Sequence, residues 1–402
     1  MHGLQTSLPH SIKFNRIVAI DLGKFNSVVC DYDPATTAHS FVTVQTTPQT
    51  MHDLLVEHAG EDPSQTLVVF ETCDCGGWVY DIAVALGLTV AVANPSHEAW
   101  RWTKVKRKTD RDDAHKLASM AAMRQLPTVH MPPPAQRQKR RLVHQRRSLV
   151  QRRTEVKNSI RSIFSQQGQL LVRGTKQWTK PGIEQLKSEA RSLKECSVDE
   201  LWRGRLHVEL QLLQMLDTQL KLVDQKLDAL GAEDERIVRL QQVKGVGPRL
   251  AEALVVHLDD PHRFKSGRQV SAYVGLVPKQ FESGTMKRVG RITRRGPSLL
   301  RGMLIEVAWM VYRYNDWAKR FVQNVSRGMK QRKKIAIVAL ARKLLVKLWA
   351  MLRDGSDWRD PDQPREQRIK DVDGGVPPAG VLLPSGRHLP KTAVSSVGVA
   401  MG

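Results

Sequence analysis

Arg16-Ile-Val-Ala-Ile-Asp21 is a short apolar run that stops on a carboxylate, and the residues after it repeat the pattern. Leu22-Gly-Lys24 supplies a turn, Ser27-Val-Val-Cys-Asp-Tyr32 a second run and Phe41-Val-Thr-Val44 a third. Runs rich in β-branched residues and bounded by turn residues read as strands. Working outward, residues 51–58 read as a short helix, and Leu67-Val-Val-Phe70 as a buried strand that ends at Glu71. Residues 79–86 read as a helix closed by Gly87, and Leu88-Thr-Val-Ala-Val-Ala93 as another strand. A helix rich in Ala and Met is expected over 112–124. Strands and helices interleaved in this way predict an α/β domain.

The chain has 402 residues, a length that suggests two or three domains. Lys and Arg total 63 against 40 Asp and Glu, a net charge of +23 that calls for a polyanionic partner such as nucleic acid. At 41% hydrophobic residues the chain can bury a core, which excludes a wholly disordered basic protein. Four cysteines (Cys30, Cys73, Cys75 and Cys196) are too few and scattered for a disulfide scaffold, so a reducing cytoplasm is expected. No apolar run reaches the ~20 residues of a membrane span.

Charge is unevenly placed. Residues 1–100 hold three basic side chains and eleven acids, a net of −8, so the remainder carries +31. Carboxylates repel phosphate unless metal ions stand between them. The asymmetry suggests a metal-dependent head on a nucleic-acid-binding body.

Five segments are expected: a leader at 1–11, the α/β domain at 12–130, a basic arm at 131–237, a mainly helical block at 238–353 and a disordered tail at 354–402. Met131-Pro-Pro-Pro134 reads as a linker. Beyond it Leu142, Leu149, Val156 and Ile163 fall seven apart, as do Leu213, Leu220 and Leu227, and Leu216, Val223 and Leu230. Such seams imply an antiparallel hairpin, an oligomerisation stalk, or both. The first seam is crowded with cations, among them Arg146, Arg147, Arg152 and Arg153, and Glu155 is the only acid among them. Like charges one turn apart repel, so this face suits phosphates better than an ordinary solvated surface.

Hydrolysis or transfer at a phosphodiester needs hard oxygen ligands gathered at element ends. Asp21 and Glu71 end strands, and Asp110 and Asp113 open a helix three residues apart, hence on one face, whereas Asp112 points elsewhere. The plainer reading makes Asp110 a helix cap and the others surface acids. Val243-Lys-Gly-Val-Gly-Pro248 resembles the turn of a helix-hairpin-helix module, whose glycines let backbone N–H groups approach a phosphate. Ser283, in Gln280-Phe-Glu-Ser-Gly284, precedes Lys287, Arg288, Arg291, Arg294 and Arg295. A serine nucleophile needs such cations to hold its phosphate, although Ser-Gly is also a common turn. Cys73-Asp-Cys75 lacks the second pair of a zinc site. Ile20-Asp-Leu-Gly-Lys-Phe-Asn-Ser27 is similar to the first phosphate loop of actin-like ATPases, but no second glycine-rich phosphate loop follows.

The order of elements up to 124 is that of ribonuclease-H-like domains. Together with it, Val18-Ala-Ile-Asp21, Phe70-Glu71 and Lys108-Thr-Asp-Arg-Asp-Asp-Ala114 resemble the DEDD transposases of the insertion sequence 110 family. Val243-Lys-Gly-Val-Gly247, Ser271-Ala-Tyr-Val-Gly-Leu-Val-Pro278, Arg294-Arg-Gly-Pro-Ser-Leu-Leu-Arg301 and Ala339-Leu-Ala-Arg-Lys-Leu-Leu345 extend the resemblance over roughly residues 14–353. It implies a RuvC-like catalytic domain, a coiled-coil arm and a C-terminal transposase domain. It further implies that Asp21, Glu71, Asp110 and Asp113 hold Mg²⁺ and that Ser283 attacks DNA. Implied partners are double-stranded DNA at element ends and target, a structured guide RNA, and further copies of the chain as a dimer or a tetramer on DNA. One departure is local: Cys73-Asp-Cys75 intervenes between Glu71 and Gly76-Gly77. Two other functions stay open on sequence alone, a purely hydrolytic RuvC-like nuclease and a non-catalytic nucleic-acid-binding scaffold.

Overall fold

The computed structural model describes residues 13–95, 97, 109–283 and 286–359. The expected leader and the tail beyond 359 lie outside the described residues. The described residues up to Trp358 belong to one compact unit.

Its first part is a six-stranded mixed sheet. Strands β1 (Arg16–Asp21), β2 (Asn26–Tyr32) and β3 (His39–Gln45) precede helix α1 (Pro48–His58). Then come β4 (Thr66–Glu71), α2 (Gly76–Ala85), β5 (Thr89–Ala93), α3 (Asp110–Ala122) and the two-residue β6 (Thr128–Val129). The spatial order is β3-β2-β1-β4-β5-β6. β1, β4 and β5 run parallel, while β2, β3 and β6 are antiparallel to their neighbours. Both faces of the inner strands are buried, which is why they read as continuous apolar runs rather than as alternating ones. Ile17, Ala19, Leu67 and Val69 pack under α3 with Ala114, Leu117, Ala118 and Ala121. Val18, Ile20, Val68 and Phe70 pack on the other side with Met51, Leu55, Val79 and Ala83 of α1 and α2.

The arm is a hairpin of two long helices, α4 (Pro134–Gln166) and α6 (Leu201–Ala232), with α5 (Lys180–Glu189) between them in sequence. Arg146 pairs with Asp224, Arg153 with Asp217, and Ser159 with Glu209, so residue numbers fall on one helix as they rise on the other. That direction is antiparallel. Leu149, Val156, Leu213, Leu216 and Leu220 form its shared core. Leu142 is only partly covered, and Val143 beside it is the buried residue. Met131 to Pro134 is no loose linker. Arg137, one turn into α4, reaches the Pro132 carbonyl at 2.7 Å, the Gly77 carbonyl at 3.2 Å and the Asp81 carboxylate, while Gln136 donates to the Val255 carbonyl at 2.8 Å. The start of the arm thus ties the sheet domain to the C-terminal block.

That block runs through α7 (Glu235–Leu240), α8 (Pro248–Leu258), α9 (Gly267–Val274), β7 (Pro278–Ser283), β8 (Met286–Ile292), α10 (Ser298–Tyr314), α11 (Asp316–Ser326) and α12 (Lys333–Asp354). Within this mainly helical block, β7 and β8 add an antiparallel ladder that the sequence patterning did not reveal. Gly245, in the turn between α7 and α8, has φ near +101°, and a Cβ there would stand 3.2 Å from Val311 on α10. Glycine is therefore required by conformation and by packing. Among the described residues no helix is long and apolar enough to cross a membrane.

Candidate active site

Asp21 and Glu71 are the last residues of β1 and β4, adjacent parallel strands with Ile20 opposite Phe70. Parallel neighbours finish at the same edge of a sheet, so the two carboxylates are brought together there. Side chains alternate along a strand. Ile17 and Ala19, like Leu67 and Val69, face α3, so the same alternation assigns Asp21 and Glu71 to the α3 side. Directly after Asp21 the chain turns tightly, because a Cβ on Gly23 would lie 2.1 Å from the carbonyl oxygen of Asn26.

Helix α3 presents Ala114, Leu117, Ala118 and Ala121 to the sheet. Asp110 lies four residues before Ala114 and Asp113 four before Leu117, so both extend the sheet-facing stripe into the first turn. Asp110 is not the cap. Thr109 caps the helix: its hydroxyl accepts from the Asp112 N–H at 3.3 Å, and the Thr109 N–H donates to Asp112 Oδ2 at 3.0 Å. The Thr109 hydroxyl, which donates to Asp112 Oδ2 at 2.7 Å, and the Thr109 N–H together hold the Asp112 carboxyl below the usual carboxylate range. Asp112 is therefore occupied at the helix end, as its position away from Asp110 and Asp113 suggested. The Thr-x-x-Asp capping box was the overlooked signal, since it fixes where α3 begins.

Strand alternation and helix spacing thus assign all four acids to the α3 side of the sheet. Among the described residues, however, no three His, Cys, Asp or Glu side chains are grouped closely enough to hold a metal ion. By chemistry the donor set suits a hard divalent cation, because all four offer carboxylate oxygens and none is a thiolate or imidazole. Cys73 and Cys75 stand beside Glu71 in sequence with their sulfurs 3.4 Å apart and unbridged. Burial, aided by Cys75, pushes the Cys73 thiol up to about 12.

Ser283 is the last residue of β7 and pairs with Met286, the first of β8. Gly284 and the side chains of Ser283 and Lys287 lie outside the described residues. Arg288, Arg291, Arg294 and Arg295 are exposed along and after β8. Arg301 donates to the carbonyls of Val274 at 3.0 Å and Arg295 at 3.1 Å.

On the arm the structure divides the cations. Arg146 donates to Asp224 at 2.6 Å and Arg153 to Asp217 at 3.1 Å, so both are spent within the hairpin. Arg140 binds the Val256 carbonyl, and Lys157 and Arg161 stand over the Trp178 ring. Arg147 and Arg152 are exposed. The reading of a uniformly phosphate-facing arm is therefore corrected. The acids that neutralise Arg146 and Arg153 sit on the other helix, invisible to a scan along one.

A mixed sheet of this order, with helices on both faces, is consistent with a ribonuclease-H-like transposase domain. Comparison with known proteins identifies the kind. Residues 238–323 match the family described as "Transposase IS116/IS110/IS902 family", and residues 18–169 match a second transposase family model, DEDD transposase IS110. A "Probable family 20 transposase" of Pseudomonas aeruginosa is 31% identical over 296 residues, 71% of this chain and 83% of the relative. The "Transposase for insertion sequence element IS1111A" of Coxiella burnetii is 29% identical over 300 residues, 73% of this chain and 79% of that protein. A "Pilin gene-inverting protein" of Moraxella bovis is 31% identical over 123 residues, 30% of this chain and 38% of its own. The chain belongs to the IS110 family of transposases, and its substrate is DNA.

Proposed function

We propose that the chain cuts and rejoins DNA at the ends of its own insertion sequence, using the acidic layer and Ser283 together. The observation that carries this reading is the placement of Asp21 and Glu71 at the ends of adjacent parallel strands, on the side covered by α3. Asp21, Glu71, Asp110 and Asp113 would hold Mg²⁺. Bound there, Mg²⁺ supplies positive charge against the phosphate oxygens and eases loss of the serine proton.

The step is a transesterification. The Ser283 oxygen gives up its proton and forms a bond to phosphorus, and one DNA oxygen leaves and takes up a proton. Because one phosphoester replaces another, rejoining requires no nucleotide. The arginines after Ser283 hold the phosphate, and Lys287 joins them in this reading. A relative named for gene inversion supports strand exchange over simple hydrolysis. A structured guide RNA is the partner suited to Arg147 and Arg152.

Association of copies has support on α6. Leu201, Val208, Met215 and Leu222 recur every seven residues on its exposed face and are each more than 40% exposed. A stripe of that period suits a partner helix. A dimer joined there, pairing into a tetramer on DNA, would let the acidic head of one copy serve the serine of another.

The test is Asp21→Ala and Asp113→Ala in a strand-cleavage assay with Mg²⁺, alongside DNA binding. Both variants are expected to bind DNA as the parent does and to cleave none. Recombination at the parent rate by either variant would refute the metal assignment.

A further inference from the structure

The turn between β1 and β2 is the part of the sheet domain that reaches past Asp21. Asp21 stands opposite Val28 on β2, so residues 22–27 cross from strand to strand directly beyond the carboxylate. Their path is fixed at three points. Leu22 packs on the core under α1 and α2, Gly23 has no room for a Cβ against the Asn26 carbonyl, and the Phe25 carbonyl accepts from the Thr46 N–H at 2.7 Å. A turn held in this way presents its tip side chains at a defined place. Those side chains are Lys24 and Phe25. Phe25 is 74% exposed, more than any other Phe, Tyr or Trp among the described residues. Lys24 Nζ stands 5.3 Å from the centroid of that ring, so ring and cation form one surface. No other large apolar side chain is exposed in the turn, so this is not an apolar patch of the kind that docks a protein.

The surrounding charge narrows the choice of ligand. Up to residue 100 the chain has eleven acids and three basic residues, Lys13, Arg16 and Lys24. Arg16 opens β1 at the far end of the strand from Asp21 and pairs with Asp31 at 3.2 Å, and Lys13 precedes it. Lys24 is therefore the one Lys or Arg of this stretch placed at the edge that carries Asp21 and Glu71. A cation in contact with an exposed ring, beside carboxylates of a DNA-cutting enzyme, suits a phosphate and the base step next to it. Apolar side chains inserted into a base step are a recurrent way of holding opened or bent DNA.

We propose that Lys24 and Phe25 position duplex DNA at the cleavage site, Phe25 as a wedge in the base step next to the phosphate that is cut and Lys24 on the neighbouring phosphate. The inference rests on the acidic layer being the cutting site, since that is what brings the strand past this tip. Both are positioning residues: neither holds the metal nor takes part in bond making. Opening the step at the cut frees the strand end for exchange.

The experiment places 2-aminopurine, which brightens on leaving the base stack, at successive positions on either side of the element terminus in duplex DNA. The full chain is added as Asp21→Ala protein, in the mixture that supports cutting by the parent, with and without Phe25→Ala or Phe25→Leu. Asp21→Ala alone is expected to brighten the probe at one step beside the terminus. Phe25→Ala is expected to remove that rise, and Phe25→Leu, still a wedge, to keep most of it. With Asp21 restored, Phe25→Ala is expected to cut paired duplex about tenfold more slowly and to recover on DNA mismatched at that step, where the opening is already made. Lys24→Gln is expected to flatten the slope of log affinity against log salt by about one unit. A rise that survives Phe25→Ala, or no rise at any position with Asp21→Ala, would overturn the proposal. So would an equal loss on paired and mismatched DNA, which is what a merely structural defect gives, and an unchanged salt slope would overturn the phosphate contact. Cutting by Asp21→Ala, read on a gel in parallel, would refute the acidic layer, whereas the fluorescence decides on the tip alone.

Discussion

His257 lies on the buried face of α8, 3% exposed, with no hydrogen-bond partner for its Nε2. Burial, with Arg140 and His144 nearby, pulls its pKa down to about 3, so the ring is neutral at physiological pH. The unfolded chain takes up that proton near pH 6.5. Between these values the unfolded state binds more protons than the folded one, so stability falls as pH falls through that window. A single fully linked proton is worth about 1.4 kcal/mol per pH unit. Thermal melts at pH 7 and pH 5 are therefore expected to show a smaller acid loss in His257→Leu than in the parent. Equal losses would mean that His257 does not titrate in this way.

At the scale of elements, the arm's charge is best understood as two sets. Arg146 and Arg153 are bound to acids on α6, whereas Arg147 and Arg152 face outward. Replacing Arg147 and Arg152 with Gln is expected to flatten the slope of log affinity against log salt by up to ~2 units, because each phosphate contact releases counterions. Replacing Arg146 and Arg153 instead is expected to lower the melting temperature and leave the slope nearly intact. A slope unchanged by the first pair would return those arginines to ordinary surface. This division also shows what a sequence can disclose. The inner strands were legible because β1 and β4 are dry on both faces and so spell continuous apolar runs. The hairpin of β7 and β8 was not, because Lys287, Arg288 and Arg291 interrupt any apolar pattern there. Nor could the pairing of Arg146 with Asp224 be read, since 78 residues separate the partners. Of the candidate site, the strand-end carboxylates and the spacing of Asp110 and Asp113 were readable. The cap at Thr109 was readable too, but Asp110 competed for it.

For the whole molecule, the acidic sheet domain and the serine-bearing block are joined through the first turns of α4, where Gln136 and Arg140 bind α8 and Arg137 binds α2. Both halves of the proposed chemistry lie on one chain yet could meet between chains. Mixing Ser283→Ala with Asp21→Ala protein is therefore expected to restore part of the recombination that each variant lacks, since one sound head and one sound serine remain. No rescue would confine the site to a single copy. The most direct test of strand transfer through Ser283 is a denaturing gel of parent and Ser283→Ala protein after reaction with end-labelled DNA carrying the element terminus. The parent is expected to retain label at the mass of the protein joined to a DNA strand, and Ser283→Ala is expected to retain none while still binding the DNA. A labelled adduct that survives denaturation in Ser283→Ala would contradict the account.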